Sequence, residues 1–542
     1  MKIVCKNIVE PETFLDNYLR QQERVMKFYD YSIDKDGAAA RYGEIAQRSY
    51  QRDQLVEALE RFNEQLTKSD DTFFQINRLR NPESVVVIGG QQAGLLSGPM
   101  YTVNKVLSIL IEAKKLEEQL QVPVVPIFWI AGEDHDIDEV NHTFFHYQGQ
   151  VKKIRLAERN DIKQPASERI ITSGTAAELV KEGFRLLQET EHTTKLYRSL
   201  MEDVSTDCTY VEWFARLLHR LFEGTGLVLM DAADPNIRQL ERPYFRKMLQ
   251  KNDELRQAFV ETAREFRLEG YGEPIDIDEK NAHLFFHEQG QRYLLEKKGE
   301  MFAEKQRSAE RSLSSLLQLL EENKPVLSNN VVTRPVMQDL LFPVISFIAG
   351  PGELKYWGTL KGVFHTFGIK MPLVLPRLHL TFISRRAEKH LKWLAVHPDT
   401  VAKEGLKERK QAWLEQRGGM EAEAAFRKAA GKMADALAEL SSTFHHRGQE
   451  AATAHRRYEA LVVKGLTQYQ QRIERVAEKE KAADIRRFDE VETELRPNGM
   501  LQERQLNIVP LLNEYGDDLV RRVARRLEDE ETAAGDHLYV YL

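Results

Sequence analysis

Between Gln449 and Leu495 the chain contains no proline, and Val462, Leu466, Tyr469, Ile473 and Val476 recur at alternating steps of four and three. This is the a/d seam of a heptad repeat, flanked by Arg, Lys and Glu. A continuous helix over that stretch is ~70 Å long at ~1.5 Å per residue, more than one globular core can bury. Residues 387–496 are therefore expected to form an antiparallel helical arm, broken near Gly418-Gly419 and folding back near His446–Gly448. Arg496-Pro497-Asn498-Gly499 stops the second helix. An arm of this kind packs on itself or on a second subunit.

The segments before the arm have the pattern of a parallel sheet covered by helices. Residues 1–80 are polar and helix-favouring, with Leu55, Leu59, Phe62 and Leu66 on one face for packing against a core. A strand at Ser84–Ile88, a loop at Gly89–Pro99, a helix at Met100–Leu120 and a strand at Val122–Ile130 make a βαβ unit. Gly226–Asp231 reads as a further strand, and Asp234-Pro235 opens a helix after it. Asn329–Arg334 and Leu341–Ala349 read as two more; Gly350-Pro351-Gly352-Glu353 then turns into a helix through Phe367, and Pro372–Leu378 adds another strand. The expected core at 81–386 is thus interrupted by insertions at about 145–225 and 270–330, the second holding a hairpin or small sheet at FFHEQGQRYLLE. Residues 497–542 are expected to return to the core.

Composition narrows the function. A net charge of −7 over 542 residues gives no support to a nucleic-acid partner. Cys5 and Cys208 are the only cysteines, which excludes a disulfide framework and a CxxC metal pair. No apolar run is long enough to span a membrane, and the first residues lack the apolar core of a signal peptide, so a cytoplasmic protein without a membrane partner is expected.

The chemistry concentrates at strand ends, where open α/β sheets bind their ligands. Val122–Ile130 runs directly into Glu133, Asp134, His135, Asp136, Asp138, Glu139 and His142. Crowded carboxylates and imidazoles shift one another's proton affinities and supply acids, bases or metal ligands. The spacing matches no zinc pattern, so a hydrogen-bonded acid–base cluster without metal is the reading. Gly89–Gly94 has the spacing of a phosphate loop, but Leu95-Leu96 stand where Lys and Ser/Thr are required, which excludes a P-loop NTPase. It also lacks the dinucleotide fingerprint. What remains is a strand-to-helix turn whose amides can hold an anion, with Tyr101 and Lys105 four apart on the following helix. Asn330, Arg334 and Gln338 form a polar row in which Arg334 can clamp a carboxylate or phosphate. Gly350–Glu353 is a second glycine turn, followed by Tyr356 and Trp357, which are core residues or ligand stackers. Arg377 and His379 close another strand, and Arg496 to Arg504 can fold over a ligand as a polar flap.

Taken together, VVVIGGQQAGLLSGPMYT, PIFWIAGEDHDIDEVNH, NVVTRPVMQD, IAGPGELKYW, LVLPRLHLTF and RPNGMLQER occur in an order that resembles the bacillithiol biosynthesis cysteine-adding enzymes. The resemblance runs from about residue 84 to Leu542. It implies an α/β fold with a Rossmann-type core like that of class I aminoacyl-tRNA synthetases, two connecting insertions, and a coiled-coil domain that pairs two subunits into a homodimer. It also implies amide formation between cysteine and glucosaminyl malate. A carboxylate must be activated before an amine can attack it, and ATP is the expected activating nucleotide. For this reaction the expected catalytic residues are Glu133, Asp134, His135, Asp136 and Lys105. Substrate binding is expected at Gln91, Gln92, Gly94, Tyr101, Asn141, His142, Asn330, Arg334, Gln338, Gly352, Glu353, Tyr356 and Trp357. The nucleotide is expected at Gly350, Arg377, Arg496, Asn498, Gly499, Gln502 and Arg504. The chain departs from the synthetases in carrying Tyr101-Thr102-Val103-Asn104-Lys105 in place of HIGH, and Arg377-Leu378-His379 is only a faint echo of KMSKS. How cysteine is activated is therefore open at this level. Another amino-acid-activating enzyme of the same fold, or a coiled-coil scaffold, are the alternative readings; polar residues crowded at several strand ends argue against a scaffold.

Overall fold

The computed structural model describes residues 1–156, 163–305, 307–322, 324–416, 420–444, 447–530 and 535–542. The chain divides into two compact units, one of residues 1–147, 151–383 and 500–542, the other of residues 148–150 and 384–499.

The strands of the first unit that concern us are, in chain order, β1 (Lys2–Asn7), β2 (Val85–Gln91), β3 (Val124–Ile130), β4 (Val228–Asp231), β5 (Asn281–Glu288), β6 (Gln291–Lys298), β7 (Met301–Glu304), β8 (Glu310–Ser312), β9 (Leu327–Asn329), β10 (Val344–Ala349), β11 (Leu373–Pro376), β12 (His379–Ile383) and β13 (Asp536–Tyr541). A five-stranded sheet in the order β11-β10-β2-β3-β4 is parallel throughout. Its strands are continuous apolar runs because both faces are covered; VVPIFWI of β3 is buried at every position. Helix α1 (Tyr101–Leu120) covers one face, and the helix at Arg52–Glu64 packs on the other through Leu55, Val56 and Leu59. Order reverses between β2 and β10, so a crevice opens at their carboxyl ends.

Two smaller sheets complete the unit. The order β8-β7-β6-β5-β9 gives an antiparallel sheet within the second insertion. Its hairpin turns at Gln289-Gly290, both with positive φ, and sets His287 opposite Arg292. In the other sheet, β13 lies between β1 and β12 and joins the two ends of the chain.

Two expectations are corrected here. Asn329–Arg334 is not a core strand. Only Leu327–Asn329 is extended, on the edge of the inserted sheet, and α3 (Thr333–Leu341) starts directly after it, following α2 (Pro235–Gln250) in chain order. Asn330 drives the change, because its Oδ1 accepts from the Val332 and Thr333 amides at 2.8 and 3.2 Å. Pro335 in the first turn has no amide to satisfy. The helix after β10 is also not continuous. It is α4 (Pro351–Trp357) and α5 (Lys361–Thr366), separated at Gly358, where the Thr359 hydroxyl donates to the Tyr356 carbonyl.

In the second unit, α6 (Met420–Phe444) and α7 (Gln449–Leu495) touch through Phe426 and Tyr469, whose rings lie edge to face at 5.4 Å. Phe488 sits between Trp393 and Trp413. The expected breaks at Gly418-Gly419 and at His446 fall outside the described residues. Among the described residues no helix is long and apolar enough to cross a membrane.

Candidate active site

The crevice between β2 and β10 is a cleft of about 680 Å³. Its floor is the end of β2 and the turn after β3. Gly90 must be glycine, because a Cβ there would lie 2.6 Å from the Trp129 carbonyl oxygen. The turn continues through Leu96, Ser97 and Gly98, all with positive φ. Asn507 pins it by donating from Nδ2 to the Leu96 and Gly98 carbonyls at 2.7 and 2.8 Å. α1 then brings Lys105 inward. Far from being a solvated helix lysine, it is 2% exposed and donates to the Gly90 carbonyl at 2.7 Å. It also pairs with Glu353, whose carboxylate accepts from the Gly350 amide at 2.7 Å at the start of α4. The two glycine turns are therefore tied across the cleft by one ion pair. Burial lowers the Lys105 ammonium from its usual range, and Glu353 opposes that.

The acidic turn is held from several sides. Glu133 is buried and accepts from Arg238 of α2 at 2.7 Å; Arg238 also reaches Glu241 at 3.3 Å and the Leu327 carbonyl at 2.8 Å. Burial pushes Glu241 up to about 8. Asp134 accepts from Gln92 at 2.7 Å and from its own turn's amides at His135 and Asp136. Burial works to raise its carboxyl, but Arg292 and Gln92 outweigh that and hold it below its usual range. His135 stands with its Nδ1 3.9 Å from Asp134, and its ring edge-on to Phe285 at 5.9 Å. Burial and the Arg292 guanidinium lower the imidazole from its usual range, so it is neutral at pH 7 and can accept a proton.

Across from this turn, α3 supplies Arg334, which donates to the Tyr356 hydroxyl. Burial pushes that phenol up to about 12. Arg377 enters beside Tyr101, its guanidinium 5.9 Å from the ring centre. It is gripped by Glu503 of α8 (Gln502–Gln505) through two bonds of 2.7 and 2.6 Å. Asn104 and His379 bind the same carboxylate at 2.7 and 2.8 Å. Burial works against the charge on Glu503, yet Arg377 and His379 hold its carboxyl well below the usual range. Arg504 is exposed on the rim. Burial works against the Arg334 charge, but Tyr356, Glu353, Glu133 and Asp134 outweigh it and hold the guanidinium above its usual range.

The structure thus gathers Gln91, Gln92, Tyr101, Lys105, Glu133, Asp134, His135, Asn330, Arg334, Gly350, Gly352, Glu353, Tyr356, Arg377 and Arg504 around one cavity. It does not bring every expected residue there. Trp357 belongs to the core, stacked on Phe347 at 4.4 Å. Gln338 is buried, Gly94 packs against Gly98, and Gln502 is spent on the Phe382 backbone. Asp136 is exposed outside the cleft lining, and His142 lies edge-on to Phe144 beside Asn141. Arg496, Asn498 and Gly499 belong to the second unit. Arg238, Arg292 and Glu503 were missed, although pairing FFHEQGQRYLLE about its Gln-Gly turn places Arg292 opposite His287. Among the described residues no group of three His, Cys, Asp or Glu side chains could hold a metal ion.

A Rossmann-like sheet with a charged cleft at its switch point, joined to a helical arm, defines an α/β class with a coiled-coil appendage. Residues 1–378 match the family described as "Bacillithiol biosynthesis BshC, N-terminal Rossmann-like domain", and residues 380–542 match "Bacillithiol biosynthesis BshC, C-terminal coiled-coil domain". The chain belongs to this BshC family. Similar proteins include one from Halalkalibacterium halodurans, 37% identical with 94% of each chain covered. Others come from Geobacillus sp., 36% identical over 97% of each chain, and Lysinibacillus sphaericus, 32% identical over 100% of each. All three carry the name "Putative cysteine ligase BshC".

Proposed function

We propose that the protein is a cytoplasmic ligase that joins the carboxyl group of L-cysteine to the amino group of glucosaminyl malate, the last step of bacillithiol synthesis. The observation that carries this reading is the juxtaposition of a neutral imidazole, His135, with carboxylates and guanidinium groups in a single cleft. An attacking amine arrives as an ammonium and must lose a proton, and His135 is the group poised to take it. Glu133 and Asp134 place negative charge on the cleft wall, which favours a substrate ammonium. Arg334 and Arg504 offer positive charge to the malate carboxylates or to phosphates.

A carboxylate is a poor electrophile. ATP, when bound, would supply the activation, and the positive charge of Arg334 and Arg504 on the cleft lining suits a polyphosphate. Lys105 would steady the negative charge that develops on the acyl oxygen. The test is incubation of the purified protein with cysteine and glucosaminyl malate, with and without ATP, followed by mass spectrometry. Amide formed only with ATP is the expected result, and its absence with every substrate present would overturn the reading.

The arm supports a homodimer. Leu461, Val463, Tyr469 and Val476 of α7 are about half exposed, which is costly for an isolated helical pair in water. Deletion of residues 420–480 is expected to yield a monomer in sedimentation; an unchanged dimer would place the interface elsewhere.

A further inference from the structure

Arg292 is carried into the cleft by the inserted hairpin rather than by the Rossmann-like sheet, and it is almost wholly buried. Its guanidinium is locked on three sides. Nε donates to the Ser328 hydroxyl at 3.0 Å, Nη2 donates to the Asn329 carbonyl, and the plane lies on the face of Phe285 at 3.8 Å. The remaining edge faces the acidic turn, with Nη1 3.7 Å from Asp134 and Nη2 4.0 Å from Glu133. The neighbouring His135 meets the edge of the same Phe285 ring. Asp134 accepts from Gln92 and from two backbone amides and faces this guanidinium, and among the described residues Nδ1 of His135 is buried without a hydrogen-bond partner. The charged groups that face His135 are Asp134 and Asp136 of its own turn, Arg292 and His287 of the hairpin, and Lys163.

We propose that Arg292 is a positioning residue of the ligase reaction: it keeps the Asp134 carboxylate from pairing with His135 and so leaves the imidazole free to take the substrate proton. The inference rests on the ligase reading and on His135 as its base. An aspartate paired with a histidine holds the imidazolium; an aspartate claimed by an arginine does not. In this arrangement the insertion sets the working pH of a group that belongs to the core.

The test is the pH dependence of kcat/KM for the wild type, Arg292→Met, Arg292→Lys and Asp134→Asn, each checked for folding by thermal unfolding. Arg292→Met is expected to lose at least about tenfold at pH 6, within the range general-base catalysis contributes, and to recover most of it by pH 8.5. Arg292→Lys keeps the charge and should recover most of the activity at pH 6. Asp134→Asn should move the acid limb the opposite way. A loss in Arg292→Met that is equal at every pH would overturn the proposal, since a purely structural role lowers the whole profile without moving it. Titration of His135 by NMR in wild type and Arg292→Met gives a readout that needs no turnover. Protonation of His135 at higher pH in the variant supports the proposal even if no amide forms, an unchanged titration refutes it, and absence of amide in the wild type refutes the ligase reading alone.

Discussion

Glu503 against Arg377 beside the cleft and Glu388 against Lys392 in the second unit each lie 2.6 Å from a cationic nitrogen. The distance is the same and the surroundings are opposite. Glu503 is fully buried and shares its oxygens with Asn104 and His379, whereas Lys392 is 74% exposed on a helix surface. In water the attraction between such charges is only ~1 kcal/mol and is screened further by salt, while in a protein interior it must offset the loss of hydration. Proximity alone therefore says little about what an ion pair does. The buried pair fixes where Arg377 points; the exposed one decorates a helix.

The largest effect should come from breaking the buried pair. Glu503→Ala leaves the Arg377 guanidinium uncompensated and is expected to cost about 3–5 kcal/mol in denaturant unfolding. A loss below ~1 kcal/mol, the level of an exposed pair, would erase the contrast. Next comes His135→Ala, which should fold normally and lose at least tenfold in kcat/KM, since general bases contribute ~10²–10⁴-fold. Near-normal turnover would remove His135 from the chemistry.

Acidification should separate the regions more gently. Burial holds His219 at about 4, and burial with His379 nearby holds His537 at about 3. The unfolded chain takes up these protons near ~6.5 while the folded core refuses them, so stability falls as pH drops from ~6.5 toward those values. The thermal midpoint of the first unit should decline steadily between pH 6.5 and 4, and a flat midpoint would contradict it. Lys392→Ala is the smallest change, expected within ~0.5 kcal/mol of wild type by thermal unfolding. A cost several times larger would show that the exposed pair is more than surface dressing.

The same contrast explains what could be read from the chain. The βαβ unit, the run from Glu133 to Asp136, both glycine turns and the heptad helix are local patterns, each set by neighbours in sequence. FFHEQGQRYLLE also read as a hairpin or small sheet, and it pairs about Gln289-Gly290. What stayed hidden depends on distant partners. Glu503 stands between Gln502 and Arg504, both singled out, yet its role exists only because Arg377 and Asn104 come to meet it. Arg292 looks like one more polar strand residue until β9 places Ser328 under it. Trp357 and Gln338 had suitable chemistry, but helix phase turned them into the core. Asn330 was misread because a capping side chain resembles a strand residue when only its apolar neighbours are counted.

The grip of Asn507 on Leu96–Gly98 orders events in time. The left-handed stretch after the glycine run is among the first parts of the core to leave the ribosome, and its clasp is among the last. Until some four hundred further residues have been synthesised, those three residues lack that clasp on a conformation that leucine and serine ordinarily avoid. The floor of the cleft therefore gains this backbone support late, long after the acidic turn has been made.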